Sequence, residues 1–327
     1  MRIVLPGGSG KVGTILARTL GEAGHLVTVL SRRAATAPTK PGTDAPTCET
    51  VIWDGRTFGG GWAATLDGAD AVINLAGKSV NCRYTPENQE AILSSRVDST
   101  RIVGEAIAAA KKPPAVWLQM STATIYAHRY DGANGEYSGI IGGTEPNVPN
   151  VWAFSIEVAK AWEAALNAAP TPRTRKVALR SAMIMSPDKG GVFDTLLTLV
   201  RFGLGGTSGN GKQYVSWIHE ADFSRAVLHL LGHREIDGAV NLASPNPLPN
   251  AAFMKAIRAA WGTRVGLPAT DWMLEIGARI LKTESELILK SRRVVPTRLM
   301  QSGFTFAHGD WNAAAKELCE RWRTRSR

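Results

Sequence analysis

Two hydrophobic rhythms alternate along the first 125 residues. Short apolar runs at residues 3–5, 26–30, 51–53, 71–75 and 115–120 read as buried strands. Between the first two runs, Val12, Ile15, Leu16, Thr19 and Leu20 recur at helical spacing, and Gly24 suits the residue just past a helix end. Pro86 opens a long helix with Ile92, Leu93, Val97, Val103 and Ile107 on one side. The alternation continues with a helix over 152–166, a strand over 177–185, a helix over 221–231 and a strand over 239–242. Residues 34–50, rich in Pro, Thr and Ala, read as a surface loop, and 187–212 as a glycine-rich insertion. Beyond Pro247 the pattern turns mostly helical, and no internal repeat is visible.

A strand–helix alternation of this kind demands a mostly parallel sheet with helices on both faces. The expected fold class is therefore α/β: a Rossmann-type doubly wound parallel sheet with a smaller, mostly helical C-terminal substrate lobe. Residues 1–186, completed by 213–244, are assigned to the dinucleotide-binding domain. Residues 187–212 and 245–327 are assigned to the substrate lobe.

Chemistry enters at the first strand–helix junction, Leu5-Pro6-Gly7-Gly8-Ser9-Gly10-Lys11-Val12-Gly13. Gly7 permits a tight turn, Gly10 lets backbone N–H groups approach a pyrophosphate, and Gly13 lets the helix pack close to the strand. The helix N-terminus adds partial positive charge for the phosphates. A P-loop is excluded, because Gly10-Lys11 is followed by Val12 and the glycine spacing is wrong. The second strand ends in Ser31-Arg32-Arg33, with no acid to hold a ribose 2′-hydroxyl. Arginine there suits a 2′-phosphate through charge-assisted bonds, so NADP(H) is favoured over NAD(H). The alternative is two solvated loop arginines.

Composition narrows the partners. The chain has 327 residues, 44% hydrophobic and 20% charged, which are values for a globular protein with a large core. The net charge of +10 is scattered, with no block of five or six Lys/Arg, so it reads as a solvated basic surface rather than a nucleic-acid footprint. Cys48, Cys82 and Cys319 lie far apart, and the six histidines show no HxH or HxxxH spacing, so no metal site is expected. No stretch approaches a membrane span and the N-terminus has no room for a signal-peptide core, so a cytoplasmic protein with a small-molecule substrate is expected. A homodimer paired through the helices near 86–110 and 152–167 is left open.

These motifs resemble the extended short-chain dehydrogenase/reductases, in an atypical epimerase-like branch of the NAD(P)-dependent epimerase/dehydratase family. The resemblance covers nearly the whole chain. It is carried by the 5–10 turn, Asn74-Leu75-Ala76-Gly77, Ser95-Arg96-Val97, Ser216-Trp217-Ile218-His219 with Ala221-Asp222, and Arg293-Val294-Val295-Pro296. It implies cofactor-binding roles for Gly7, Ser9, Gly10, Lys11, Val12, Gly13, Ser31, Arg32, Arg33, Asp54, Leu75, Ala76, Gly77 and Arg96. Asp54 would touch adenine, residues 74–77 would line the riboses, and Arg96 would reach phosphate or ribose. Asn74 could instead order a turn, and Arg96 could pair with Asp98.

Typical members combine a Ser/Thr after the fifth strand with a Tyr-x-x-x-Lys pair on the next helix, where Tyr is the acid/base and Lys lowers its pKa. Ser121-Thr122-Ala123-Thr124-Ile125-Tyr126-Ala127 resembles the first element and places Thr122 at the catalytic position. The second element departs. Anchored on Ala161-Trp162-Glu163, the Tyr position holds Ser155 and the Lys position Ala159, with Lys160 turned about 100° around the helix. Tyr126 is the leading replacement, with His128 and His219 behind it. Trp152, Phe154, Trp217 and residues 203–211 are candidates for the pocket wall. Two functions follow: an NADP(H)-dependent oxidoreductase or epimerase acting on a small carbonyl or sugar-nucleotide-like substrate, or a non-catalytic NADP(H)-binding sensor or regulatory protein.

Overall fold

The computed structural model describes residues 1–34, 48–145, 149–269 and 286–325. The chain forms β1 (Arg2–Pro6), α1 (Lys11–Glu22), β2 (Leu26–Ser31), β3 (Glu49–Ile52), α2 (Gly60–Ala64), β4 (Ala71–Asn74), α3 (Pro86–Ala109), β5 (Val116–Thr122) and α4 (Asn150–Ala168). There follow β6 (Arg175–Ser181), β7 (Met183–Met185), α5 (Val192–Arg201), β8 (Tyr214–Val215), β9 (Trp217–His219), α6 (Glu220–Gly232), β10 (Gly238–Leu242), β11 (Leu248–Pro249) and α7 (Asn250–Trp261). Helices over Glu286–Leu289, Thr297–Gln301 and Trp311–Arg325 end the chain.

Seven strands form one all-parallel sheet in the order β10-β6-β5-β4-β1-β2-β3. The order reverses between β1 and β4, the switch point outside whose strand ends open α/β sheets bind ligands. Both faces are covered. Ile3 and Leu5 of β1 pack with α1 and α6 residues such as Leu16, Leu20 and Phe223. Val4, between them, faces the other way into a cluster with Ile102, Val103 and Trp117. This explains why the strands read as unbroken apolar runs rather than alternating ones. α3 starts where its punctuation places it: Thr85 caps it by accepting from Asn88 N at 3.3 Å, and Pro86 occupies the first turn.

Three local differences from the pattern matter for the site. The run 177–185 is two strands, because the chain leaves the main sheet at Ala182 and β7 pairs with β9 in a separate ribbon. The glycine-rich segment 187–212 contains α5, which buries Phe193, Leu197 and Val200. Part of the loop expected over 34–50 lies outside the described residues, and Glu49 and Thr50 belong to β3. Phe193 and Leu197 pack with Trp217, Phe253, Ile257, Trp311 and Leu318 into a core of their own, centred on the Phe253–Trp311 ring stack at 4.2 Å.

Candidate active site at the switch point

A cleft of about 390 Å³ opens at the carboxyl ends of the sheet strands. Lys11, Val12, Leu75, Gly77 and Arg96 line one part, and Thr122, Tyr84, Phe154 and Ser155 another. Its floor and walls also include Ile15, Ile92, Met120, Val158 and Ile184, so the body of the cleft is apolar.

The glycine turn is built by close approach. Gly7 has φ +75°, and a Cβ on it would lie 2.7 Å from Ala76 Cα. A Cβ on Gly13 would lie 2.2 Å from the Gly8 carbonyl oxygen, so only glycine lets α1 sit this near the turn. Gly10 is different, since a Cβ there would meet only Gly7 O within 4 Å, at 3.5 Å. Gly10 caps α1 without a side-chain acceptor, and the first turn carries no acid. Its leading N–H groups and the positive end of the helix dipole are thus left for an anion. The residues present fit a dinucleotide pyrophosphate.

Ser9 and Ser31 join across this turn, Ser31 Oγ donating to Ser9 Oγ at 3.1 Å while accepting from Arg33 N at 3.2 Å. The end of β2 is thereby tied to the phosphate turn. Arg32 and Arg33 are exposed beside it. Asp54 is exposed and occupied locally. It accepts from Arg56 N, Thr57 N and Thr57 Oγ1 at 2.7–2.9 Å, and these bonds, with Thr57 first, pull its carboxyl down to about 2. Asn74 orders the following loop by accepting from Ala76 N at 3.1 Å and donating to Gln119 at 3.0 Å.

Arg96 does not pair with Asp98. Its Nη1 donates to the carbonyls of Lys78 and Ile92, both at 3.0 Å, and its guanidinium lies 4.9 Å from the Trp162 ring centroid. Burial lowers its pKa to about 10, which leaves it a cation at neutral pH. A Cβ on Gly77 would press on this guanidinium at 3.2 Å, so the glycine after Leu75-Ala76 makes room for it.

Thr122 lines the cleft at the end of β5, and its Oγ1 accepts from Thr124 N at 3.1 Å. The hydroxyl proton therefore remains available to a substrate oxygen. Tyr126 is elsewhere. It is 2% exposed, donates to Asn241 Oδ1 at 2.9 Å and accepts from Arg180 Nη1 at 2.9 Å, and burial pushes its pKa up. Arg180 is in turn locked to Glu163 at 2.7 and 2.8 Å, and Glu163 accepts from Ser121 at 2.7 Å. Tyr126 belongs to this buried network under the cleft and does not line it, so the role assigned to it from the motif is corrected.

The histidine alternatives are also structural. His128 Nδ1 accepts from Ser291 N at 2.9 Å, with its ring against Trp152. His219 Nδ1 accepts from Ala221 N at 3.1 Å, which puts the ring proton on Nε2, where it is 3.0 Å from Glu317 Oε2. Ala159 is buried and Lys160 exposed, so neither restores the Tyr–Lys pair. Phe154 lines the cleft, whereas Trp217 packs 4.6 Å from Trp311 in the core. Residues 203–209 bond instead to the 267–269 strip.

Motif reasoning missed the polar group beside Ser155. Ser155 Oγ donates to Glu286 Oε2 at 2.5 Å, and Tyr84 Oη lies 3.4 Å from Ser155 Oγ. Behind them Lys290 donates to Thr124 O at 3.0 Å, 3.8 Å from Glu286, and burial holds its pKa near 8. The only sequence signal was Tyr84 itself, two residues before Pro86, because Glu286 is 131 positions from Ser155. Among the described residues no group of His, Cys, Asp and Glu could hold a metal, and no helix is long and apolar enough to cross a membrane.

Comparison with known proteins places this architecture. The profile of the NAD dependent epimerase/dehydratase family matches residues 3–243, and that of a domain of unknown function, DUF1731, matches residues 269–318. The human epimerase family protein SDR39U1 is 29% identical over 321 residues, spanning 97% of this chain and 99% of its own. Epimerase family protein YfhF of Bacillus subtilis strain 168 is 30% identical over 318 residues, 97% of this chain and 98% of its own. The crystal structure of human SDR39U1 (isoform2) with NADPH superposes with a TM-score of 0.82 at 29% identity, covering 98% of this chain and 99% of that one. The chain belongs to the NAD dependent epimerase/dehydratase family, in the atypical extended short-chain dehydrogenase/reductase branch of the SDR39U1-type proteins.

Proposed function

We propose that this protein is an NADP(H)-dependent oxidoreductase acting on a small carbonyl compound. The observation that carries the reading is the uncapped, acid-free start of α1 beside Arg32 and Arg33, opening into a cleft that ends at Thr122. The NADPH in the human SDR39U1 structure, a relative matched along almost its full length, supports the same choice of cofactor. The bound cofactor would supply a hydride. The turn over residues 7–13 would hold its pyrophosphate, Arg32 and Arg33 its 2′-phosphate, and Leu75, Ala76 and Gly77 its riboses. Thr122 would donate its hydroxyl proton to the substrate oxygen. The apolar body of the cleft favours a substrate with an apolar frame.

Ala159 in the usual lysine position is what favours the second reading, a cofactor-binding sensor without turnover. Calorimetry tests the shared premise. NADPH should bind more tightly than NADH, and Arg32→Ser with Arg33→Ser should cost about 10- to 100-fold for NADPH and little for NADH. Equal affinity for both cofactors before and after substitution would remove the NADP(H) reading.

A further inference from the structure

We propose that Tyr84 is the acid that replaces the missing helix tyrosine, held in place by Ser155. The inference rests on the reading above, because it needs a reduced nicotinamide in the cleft.

Ser155 stands on α4 where the typical family tyrosine stands, and its side chain reaches the same cleft as Thr122. A serine there is too short to fill a tyrosine's place. A phenol from the loop before α3 meets that serine in the cleft instead. Tyr84 lines the cleft, its hydroxyl 3.4 Å from Ser155 Oγ. Its ring stands edge-on to Phe154, with centroids 5.1 Å apart and planes at 69°. That packing limits the ring to a narrow set of orientations. Ser155 spends its proton on Glu286 Oε2, which leaves its oxygen as the acceptor facing Tyr84.

The electrostatics also match the task. In the usual arrangement a lysine cation favours the phenolate. Here two guanidinium groups, Arg96 and Arg292, each lie within electrostatic reach of the Tyr84 phenol. Glu286 opposes them, and Lys290 and Arg292 stand 3.8 and 3.7 Å from its carboxylate. The Arg96 guanidinium, which lines the cleft together with Tyr84, favours the phenolate as the usual lysine would.

The step balances simply. A hydride from NADPH adds to the carbonyl carbon, and the C=O π pair moves to oxygen. Tyr84 Oη–H gives its proton to that oxygen while Thr122 donates a hydrogen bond to it. The phenolate regains a proton from solvent through the open cleft. The sum is carbonyl, NADPH and one proton giving alcohol and NADP⁺.

Two readouts test the assignment. The first follows NADPH oxidation with nitrobenzaldehyde and phenanthrenequinone, with NADPH affinity measured beside it. Tyr84→Phe keeps the ring against Phe154 and should lower kcat about 100-fold with NADPH affinity unchanged. Ser155→Ala should lower kcat, and Ser155→Thr, which keeps the hydroxyl, should restore most of it. The second readout needs no cofactor. The near-ultraviolet phenol titration that Tyr84→Phe removes should move to higher pH in Arg96→Met, which takes away a cation that favours the phenolate. Undiminished turnover by Tyr84→Phe overturns the proposal, as do undiminished turnover by Ser155→Ala and a Tyr84 titration indifferent to Arg96→Met. Failure of the wild type to reduce either probe while NADPH still binds overturns it too, and leaves the cofactor reading standing. Absence of NADPH binding overturns both.

Discussion

At the scale of single residues, the same side-chain chemistry is used for very different ends a few ångströms apart. Thr122 and Tyr126 lie on one short stretch of chain, yet Thr122 faces the cleft and Tyr126 ties β5 to β6 and β10 from beneath. The phenol of Tyr126 satisfies a buried amide and a buried guanidinium at once. Removing it in Tyr126→Phe leaves both short of a partner, an expected loss of about 1–3 kcal/mol in chemical denaturation. NADPH affinity should be unchanged in the same variant. A fall in affinity with stability intact would return Tyr126 to the site. Arg180 shows how such a network is closed. Burial alone would lower its pKa, but the hydrogen-bonded Glu163 overrides that and raises it, so the cation is retained under the sheet edge.

Among the elements, the β1–turn–α1 unit was legible in the sequence because Gly7 and Gly13 each answer a steric demand. The cost of violating one can be stated. In Gly13→Ala the new methyl would sit 2.2 Å from Gly8 O, against backbone that cannot swing aside. α1 must then move off β1, with an expected cost of about 1–3 kcal/mol and a matching fall in NADPH affinity, measured by thermal unfolding and calorimetry. An unshifted Tm would show that the turn is looser than its geometry implies. The strands were readable for a similar reason: burial on both faces leaves runs such as Ile3-Val4-Leu5 with no polar interruption. α5 was not, because glycines on both sides of 192–201 hide a ten-residue amphipathic segment whose apolar face meets Trp311, more than a hundred residues away. The break at Ala182 was equally hidden. Met183–Met185 is as apolar as the strand before it, and only pairing with Trp217–His219 shows that it has left the sheet. The polar part of the site was the least legible, because Ser155, Tyr84 and Glu286 meet only through tertiary packing.

Across the whole molecule, three buried or half-buried histidines share one electrostatic direction. Burial, the largest influence on each, holds His128, His219 and His229 below the ordinary 6.5. The unfolded chain therefore binds more protons than the folded one just below that value. Stability is full above about pH 6.5 and is lost as pH falls toward the depressed folded-state values. Tm should drop on acidifying through that window, and His219→Gln should flatten the drop. A Tm independent of pH between 7 and 5 would contradict this.

The final helix, Trp311–Arg325, gives one more consequence. Trp322 donates to Asp194 at 2.8 Å and Arg325 pairs with Asp188, and Asp188 together with Gly191 and Val192 forms one rim of the cleft. Glu317 and Arg321 grip His219 and Glu220 at the start of α6. The last turns of this helix thus brace that rim of the cleft. Loosening the end of this helix, as in Trp322→Ala, should therefore reach the cleft through Asp188 and Asp194, although the substituted side chain does not line it.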